Sequence, residues 1–120
     1  MFVTSQGSAY ARFKRALTSR NPTLAWAAAS ELGRLDLADA LALCLLVMAE
    51  PAKYGRAAAR WHARYCAELP GVTMAESQLV LAALQALPRG LGTGAATDAL
   101  ARLADERGLE QIVDVLEQWS

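Results

Sequence analysis

The sequence predicts an all-α fold, because its composition and its local start and stop signals agree. Ala occurs 26 times and Leu 19 times among the 120 residues, whereas Val and Ile together occur seven times. Ala loses no side-chain entropy in a helix and Leu loses little, while strands favour β-branched residues. No segment between Ser8 and Trp119 alternates in the manner of a strand. We expect a single helical domain over residues 1–120, a compact bundle or short solenoid-like stack of six to seven antiparallel helices.

The first three helices follow from apolar periodicity and from their boundary residues. The first has apolar residues at helical spacing, and the second starts where Asn21 can cap and Pro22 needs no N–H partner. Gly33 suits the left-handed position after a helix, Asp36 can cap the third helix, and Pro51 prevents its continuation. The predicted ranges are Ser8–Thr18, Pro22–Leu32 and Leu37–Ala49.

Four more helices are predicted in the second half of the chain. Pro70 follows the fourth helix, Thr73 and Glu76 form a capping box at the start of the fifth, and Pro88 ends it. Three glycines between residues 90 and 94 connect to the sixth, and Gly108 separates the last two. The predicted ranges are Ala52–Leu69, Met74–Leu87, Ala95–Arg107 and Leu109–Trp119.

Two of these helices are apolar nearly all the way round. Only Asp39 interrupts the third, and beyond the first turn of the fifth only Ser77, Gln78 and Gln85 are polar. A helix of this kind needs cover on several sides. We therefore expect the third and fifth helices at the centre and the amphipathic first, fourth and seventh at the periphery.

The charges are divided between the two halves of the chain. Residues 1–66 hold nine Lys/Arg and four Asp/Glu, and residues 67–120 hold three and eight, while the formal net charge of the chain is zero. A domain with one basic and one acidic half can orient a partner, bind a polyanion or associate head to tail with its own copies.

A basic row runs along the fourth helix. Its members recur at spacings of three, four and four residues from Lys53 to Arg64, which places them within about 80° of one another. An aromatic line lies about a quarter-turn away, at Tyr54, Trp61 and Tyr65. The row predicts a face for an acidic partner or for phosphates, although a solvated or acid-paired helix flank has the same pattern. Together with basic residues of the first helix, the candidate binding residues are Arg12, Lys14, Arg15, Lys53, Arg56, Arg60 and Arg64.

The last helix carries the opposite charge. Glu110, Asp114 and Glu117 share one flank, opposite the apolar residues at 109, 112, 113 and 116. The flank predicts either a docking face for a basic partner or a solvated surface, and it is not an acid–base pair.

His62 and Cys66 are spaced i, i+4, which can place two ligands on one metal ion. A structural zinc ion needs four protein ligands and only Cys44 is an obvious third, so we expect no metal and a half-buried, hydrogen-bonded histidine. One histidine without an orienting partner makes neither cysteine a catalytic nucleophile. No cofactor or small-molecule ligand is predicted.

The glycines of the Gly90–Gly94 segment precede a helix, as in a phosphate cradle. They follow a helix and not a strand, however, and no lysine occupies the P-loop position. The segment is predicted to be a flexible linker between helices.

The stretch from Glu31 to Pro51 resembles the second half of a tetratricopeptide repeat, with Gly33 at the turn and Pro51 closing the unit. The aromatic positions of the first half are missing, and no second copy appears about 34 residues on. The resemblance implies a small stack of helix pairs that binds other proteins.

The order of helices between Thr73 and Trp119 resembles the core of a helix-turn-helix regulator, whose last helix enters the major groove. In this chain that helix offers Glu110, Asp114 and Glu117 and no Lys or Arg. Repulsion by phosphates opposes such docking.

The sequence predicts neither a secretory signal nor a membrane-spanning segment. No apolar segment of a signal peptide follows the basic residues near the start. The most apolar run, Leu37–Ala49, is shorter than the about 20 residues that a helix needs to cross a bilayer. Two cysteines do not make a disulfide framework. We expect a cytoplasmic protein with no membrane partner.

The function predicted first is a non-enzymatic helical interaction module, an adaptor or self-assembling protein whose basic and acidic halves direct association. The alternative is nucleic-acid binding, either through the fourth and first helices or as a helix-turn-helix-like regulator.

Overall fold

Seven helices make up the structure, a computed structural model that describes residues 5–90 and 94–119. No strand occurs in these two ranges, so the predicted all-α fold is confirmed. The helices are α1 (Ser5–Thr18), α2 (Pro22–Leu32), α3 (Leu37–Leu46), α4 (Pro51–Glu68), α5 (Met74–Gly90), α6 (Ala95–Glu106) and α7 (Glu110–Gln118).

The predicted caps satisfy backbone N–H groups at three helix starts. Asn21 Oδ1 accepts from the Leu24 amide at 3.0 Å, and Asp36 Oδ1 accepts from the Asp39 amide at 2.8 Å. Thr73 Oγ1 accepts from the Glu76 amide at 3.1 Å. The carboxylate expected to complete this capping box instead binds other side chains, described below.

The third helix is three residues shorter than predicted, because the chain must turn before Pro51 occupies the first turn of α4. The amide of Val47 closes α3 onto the Leu43 carbonyl, and the amide of Glu50 donates to the Val47 carbonyl at 2.9 Å. Glu50 itself is extended, as expected for a residue before proline.

The fifth helix passes through Pro88 and ends at Gly90, contrary to the prediction that Pro88 terminates it. Proline has no N–H, so it leaves the carbonyl four residues earlier without its helical donor. That carbonyl belongs to Leu84, and the hydroxyl of Tyr54 in α4 donates to it. A neighbouring helix therefore supplies the hydrogen bond that Pro88 removes.

The packing places α3 at the centre. It contacts α1, α2, α4 and α7. In the second half of the chain, α4 packs against α5, α5 against α6 and α6 against α7. The main core cluster draws on α3 to α7, and a smaller cluster around Phe13, Ala25 and Leu35 joins the α1–α2 pair to it. The helices form a compact globule, as predicted, with a radius of gyration of 14.3 Å and extents of 48 × 29 × 23 Å.

The expectation that the fifth helix is also central is wrong. It contacts α4 and α6, and buries one face, formed by Val80, Ala83, Leu84 and Leu87. Outside that face Met74 is 77% exposed, Leu79 46% and Leu81 39%. Apolar composition alone did not distinguish a surrounded helix from one that leaves some of its apolar side chains exposed to solvent.

Candidate functional site: an arginine-lined groove

The fourth helix separates its aromatic and basic side chains, as predicted. Tyr54, Trp61 and Tyr65 are buried in the core, and the indole N–H of Trp61 donates to the Leu37 carbonyl at 2.8 Å. This anchoring fixes the rotation of α4. The basic row is consequently turned toward α2 and away from the core.

A groove of about 550 Å³ lies between α2, α3 and α4. Its apolar lining includes Trp26, Leu35 and Leu43, together with several alanines. Four arginines also line it: Arg34, Arg56, Arg60 and Arg64. An apolar floor with a cationic rim is suited to a ligand that combines apolar and anionic groups.

One end of the groove is held by a carboxylate shared between two arginines. Glu68 accepts from Arg64 Nε at 2.6 Å and from Arg34 at 3.1 Å. The Arg64 hydrogen bond, with the charges of Arg64 and Arg34, holds the pKa of Glu68 below its usual value. Arg64 is therefore already engaged within the chain.

The middle of the basic row is free. Arg56 and Arg60 are exposed, and neither forms an ion pair with any carboxylate in residues 5–90 or 94–119. At the other end, Lys53 lies 5.4 Å from the centre of the Trp26 ring and 3.5 Å from Glu50. Arg56 and Arg60 are thus the two members available to an incoming anion.

Trp26 and Arg34 belong to the groove but were not among the predicted site residues. A signal was present in the sequence, since Trp26, Ala29, Ser30 and Gly33 follow helical spacing and share one face of α2. What the sequence did not reveal is that this face lies across a groove from the basic row of α4.

The structure does not bring the basic residues of α1 into this groove. Arg12 binds Glu31 at 2.8 Å, and Lys14 binds the buried Asp39 at 3.2 Å. Arg12 and Arg15 line a separate cleft beside Ala27 of α2. Helical geometry places Ala27 about 100° from Trp26 around α2, so the cleft and the groove lie on different sides of that helix.

The acidic flank of α7 lies on the surface as predicted. Glu110, Asp114 and Glu117 are exposed, and none of them forms an ion pair within the described ranges. The opposite flank of α7 is buried through Ile112, Val115 and Leu116.

His62 and Cys66 contribute to a contact between α4 and α5. His62 Nε2 lies 2.9 Å from the Ser77 carbonyl oxygen and 3.1 Å from Ser77 Oγ, and Cys66 Sγ lies 3.4 Å from the same hydroxyl. Cys44 is buried in the core, where burial raises the pKa of its thiol to about 12. In the part of the chain that is described, no three His, Cys, Asp or Glu side chains are grouped to hold a metal ion.

The glycine-rich connection is only partly described. The amide of Gly94 donates to the Gly90 carbonyl at 3.0 Å, and the remainder, including Gly92, lies outside the described residues. The linker assignment therefore stays a prediction.

The chain matches no protein-family model, no curated protein and no solved structure. No helix in the described ranges combines the length and apolar character needed to cross a bilayer.

Proposed function

We propose that this chain is a non-enzymatic helical interaction module whose arginine-lined groove binds an acidic, partly apolar segment of a protein partner. The observation that carries the proposal is the pair of free arginines, Arg56 and Arg60, above an apolar floor that includes Trp26. Tryptophan and arginine are the residue types most often found at the energetic centre of interfaces.

The charged side chains that form no internal ion pair are also divided between the two halves of the chain. Within the described ranges, the acids of the first half pair with bases of the same half or, in the case of Asp36, cap a helix. Over residues 5–90 and 94–119, the bases without an ion pair are Arg15, Arg20, Arg56, Arg60, Arg89 and Arg102. The acids without one in the same ranges, apart from Asp36, are Asp98, Asp105, Glu106, Glu110, Asp114 and Glu117.

This distribution supports recognition through charge. All six of those acids lie in the second half, and the groove lies in the first half with unpaired arginines of its own. An ion pair within one chain would compete with a partner for the same side chain. Arg56 and Arg60 face no such competition from the described residues, so an acidic segment gains their full attraction.

A helical segment is the form of ligand that suits the groove. The row from Arg56 to Arg64 spans about 12 Å along α4, which is about two helical turns. A partner helix with acidic residues at i and i+4 and apolar residues on the adjacent flank would match the arginines and the floor together.

Nucleic-acid binding is the second candidate function, since exposed arginines also bind phosphates. One feature of the structure favours the protein partner. The bases of α1 lie on another side of α2 and do not extend the groove into a longer basic track.

The test is binding of a labelled alanine-based helical peptide with Glu at i, i+4 and i+8 and Leu on the adjacent flank. Fluorescence anisotropy in about 0.05 M salt should show saturable binding, and a peptide with Lys in place of Glu should not bind. We expect the double variant R56E/R60E to bind at least about tenfold more weakly, because attraction becomes repulsion.

The matched control is R89E/R102E, which changes the net charge equally at two exposed arginines outside the groove. It should retain the peptide affinity of the native chain. A DNA duplex is the second ligand: if only the duplex binds, in a manner that depends on Arg56 and Arg60, nucleic-acid binding replaces the proposal. Equal peptide binding by both double variants would show that the groove is not the binding site.

A further inference from the structure

We infer that Arg56 and Arg60 of the groove bind the acidic flank of α7 from a second copy of this chain, so that the protein assembles head to tail. The inference rests on the proposed function, because it names an acidic partner for the same two arginines. The apolar side of α7 is buried in its own core, so this contact is made through charge, between side chains that form no ion pair within the described ranges.

The spacing of the two charged rows agrees. Arg56 and Arg60 are separated by four helical residues, a rise of about 6 Å, and Glu110 and Asp114 have the same separation. Glu117 continues the acidic row by about 4.5 Å, beyond the two acids that match Arg56 and Arg60. Two helices with matched rows can therefore pair their charges without distortion of either.

The acidic flank is presented rigidly. Ile112, Val115 and Leu116 bury the other side of α7 in the core, which fixes the rotation of the helix. Arg20 donates to the Gln118 carbonyl at 3.4 Å, and its guanidinium lies 3.6 Å from the centre of the Trp119 ring. Because α7 is already ordered, little conformational entropy is lost when it docks.

The two surfaces lie on different sides of the central helix. Ala40 and Leu43 of α3 line the groove, whereas Ala38 and Ala42 face clefts that they share with α7. Helical geometry separates Ala38 from Ala40 by about 160° around α3. A contact between such surfaces is heterologous, so each added copy leaves one free groove and one free α7 for further growth.

The net charge of the chain permits this assembly. Because the formal net charge is zero, copies do not repel one another as whole molecules, and the opposed poles favour head-to-tail orientation. A strongly acidic or basic chain with the same two surfaces would meet long-range repulsion at low salt.

The test uses two variants of the full chain in sedimentation velocity at about 0.05 M salt. R56E/R60E reverses the groove, and D114K/E117K reverses the flank while keeping Glu110, which complements the positive end of α7 in its first turn. The native chain should sediment as associated species, and each variant alone should be monomeric, because like charges then meet at every contact.

An equimolar mixture of the two variants should associate again. The native groove of one variant can bind the native α7 of the other, and the two reversed surfaces are also opposite in charge. A circular-dichroism spectrum and melting temperature close to those of the native chain check that each variant is folded. R89E/R102E has the same net charge as R56E/R60E and serves as the control: it should still associate, because its groove and its α7 flank are native.

Three results would overturn the inference: a monomeric native chain at every concentration, undiminished association of either variant alone, or a mixture that stays monomeric. A monomeric native chain that still binds the acidic peptide would refute self-assembly and leave the proposed function standing. Failure of both experiments would refute the proposed function as well.

Discussion

Glu76 joins three helices through its two carboxylate oxygens. Arg107 at the end of α6 donates to both of them, at 2.6 and 2.7 Å, and the Tyr65 hydroxyl of α4 donates at 2.6 Å. Arg107 also donates to the Pro70 carbonyl at 2.8 Å. The hydrogen bond from Arg107, then that from Tyr65, holds the pKa of Glu76 below its ordinary value of 4.5.

The pKa shift of Glu76 predicts how stability changes with pH. Since folding lowers this pKa, its contribution is fully present above about pH 4.5 and is lost as the pH falls through the lower folded value. Glu76→Gln should lower the melting temperature at pH 7 by several degrees and flatten its decline between pH 5 and 3, in thermal scans by circular dichroism. Glu106→Gln, at an exposed acid without an ion pair in the described ranges, should keep the native pH profile. An unchanged profile for Glu76→Gln would contradict the assigned role.

At the scale of the element, start and stop signals predicted most boundaries, because caps and glycines act within one turn of chain. The failures have a common cause in tertiary contacts. Pro88 does not end α5, because Tyr54 from another helix binds the carbonyl that the proline leaves free. A boundary that depends on a residue about 30 positions away cannot be predicted from the local sequence.

Because the Tyr54 hydroxyl replaces the amide that Pro88 lacks, the effects on stability of mutating Tyr54 and Pro88 should depend on each other. Tyr54→Phe should destabilise the native chain by about 1–3 kcal/mol, because the Leu84 carbonyl stays buried without a donor. In the Pro88→Ala background the same change should cost under about 1 kcal/mol, since an alanine at this position restores the helical amide. The measurement is a double-mutant cycle from urea unfolding. An equal cost in both backgrounds would show that the hydroxyl does not replace the missing amide.

The one-sided burial of α5 gives a second prediction at this scale. Leu84→Ala should destabilise by about 2–5 kcal/mol, because Leu84 is fully enclosed and its truncation leaves a cavity. Leu79→Ala, outside the buried face of the same helix, should cost under about 1 kcal/mol, because this side chain is 46% exposed. The measurement is the free energy of unfolding of both variants in urea. Similar losses of free energy would mean that α5 is covered on both sides.

At the scale of the whole molecule, the candidate site could be predicted only in part. The basic row of α4 and the acidic flank of α7 each follow from spacing within one helix, and both flanks lie on the surface. The groove itself required the placement of α2 beside α4, which brings Trp26 and Arg34 near the row. The role of Asp39 could not be predicted for the same reason. In the sequence it only interrupts an apolar helix, but in the structure it binds Tyr10 and Lys14 and so connects α3 to α1.

The placement of the two charged surfaces on different sides of α3 predicts open growth of the assembly and not a closed dimer. The weight-average mass of the native chain should keep rising with concentration, and about 1 M salt should reduce it to the monomer, because the Debye length is then about 3 Å. Light scattering across a concentration series measures both effects. A plateau at twice the monomer mass would instead indicate a two-fold contact.

Open growth also makes one variant a chain terminator. R56E/R60E keeps a native α7 that can dock in the groove at the end of an assembly, but its own reversed groove rejects the next copy. A small fraction of this variant, added to the native chain at constant total concentration, should lower the average mass far more than the same fraction of R89E/R102E. A closed dimer would lose mass only in proportion to the variant added, since no later copies depend on the blocked end. Equal effects of the two variants would show that growth does not pass through Arg56 and Arg60.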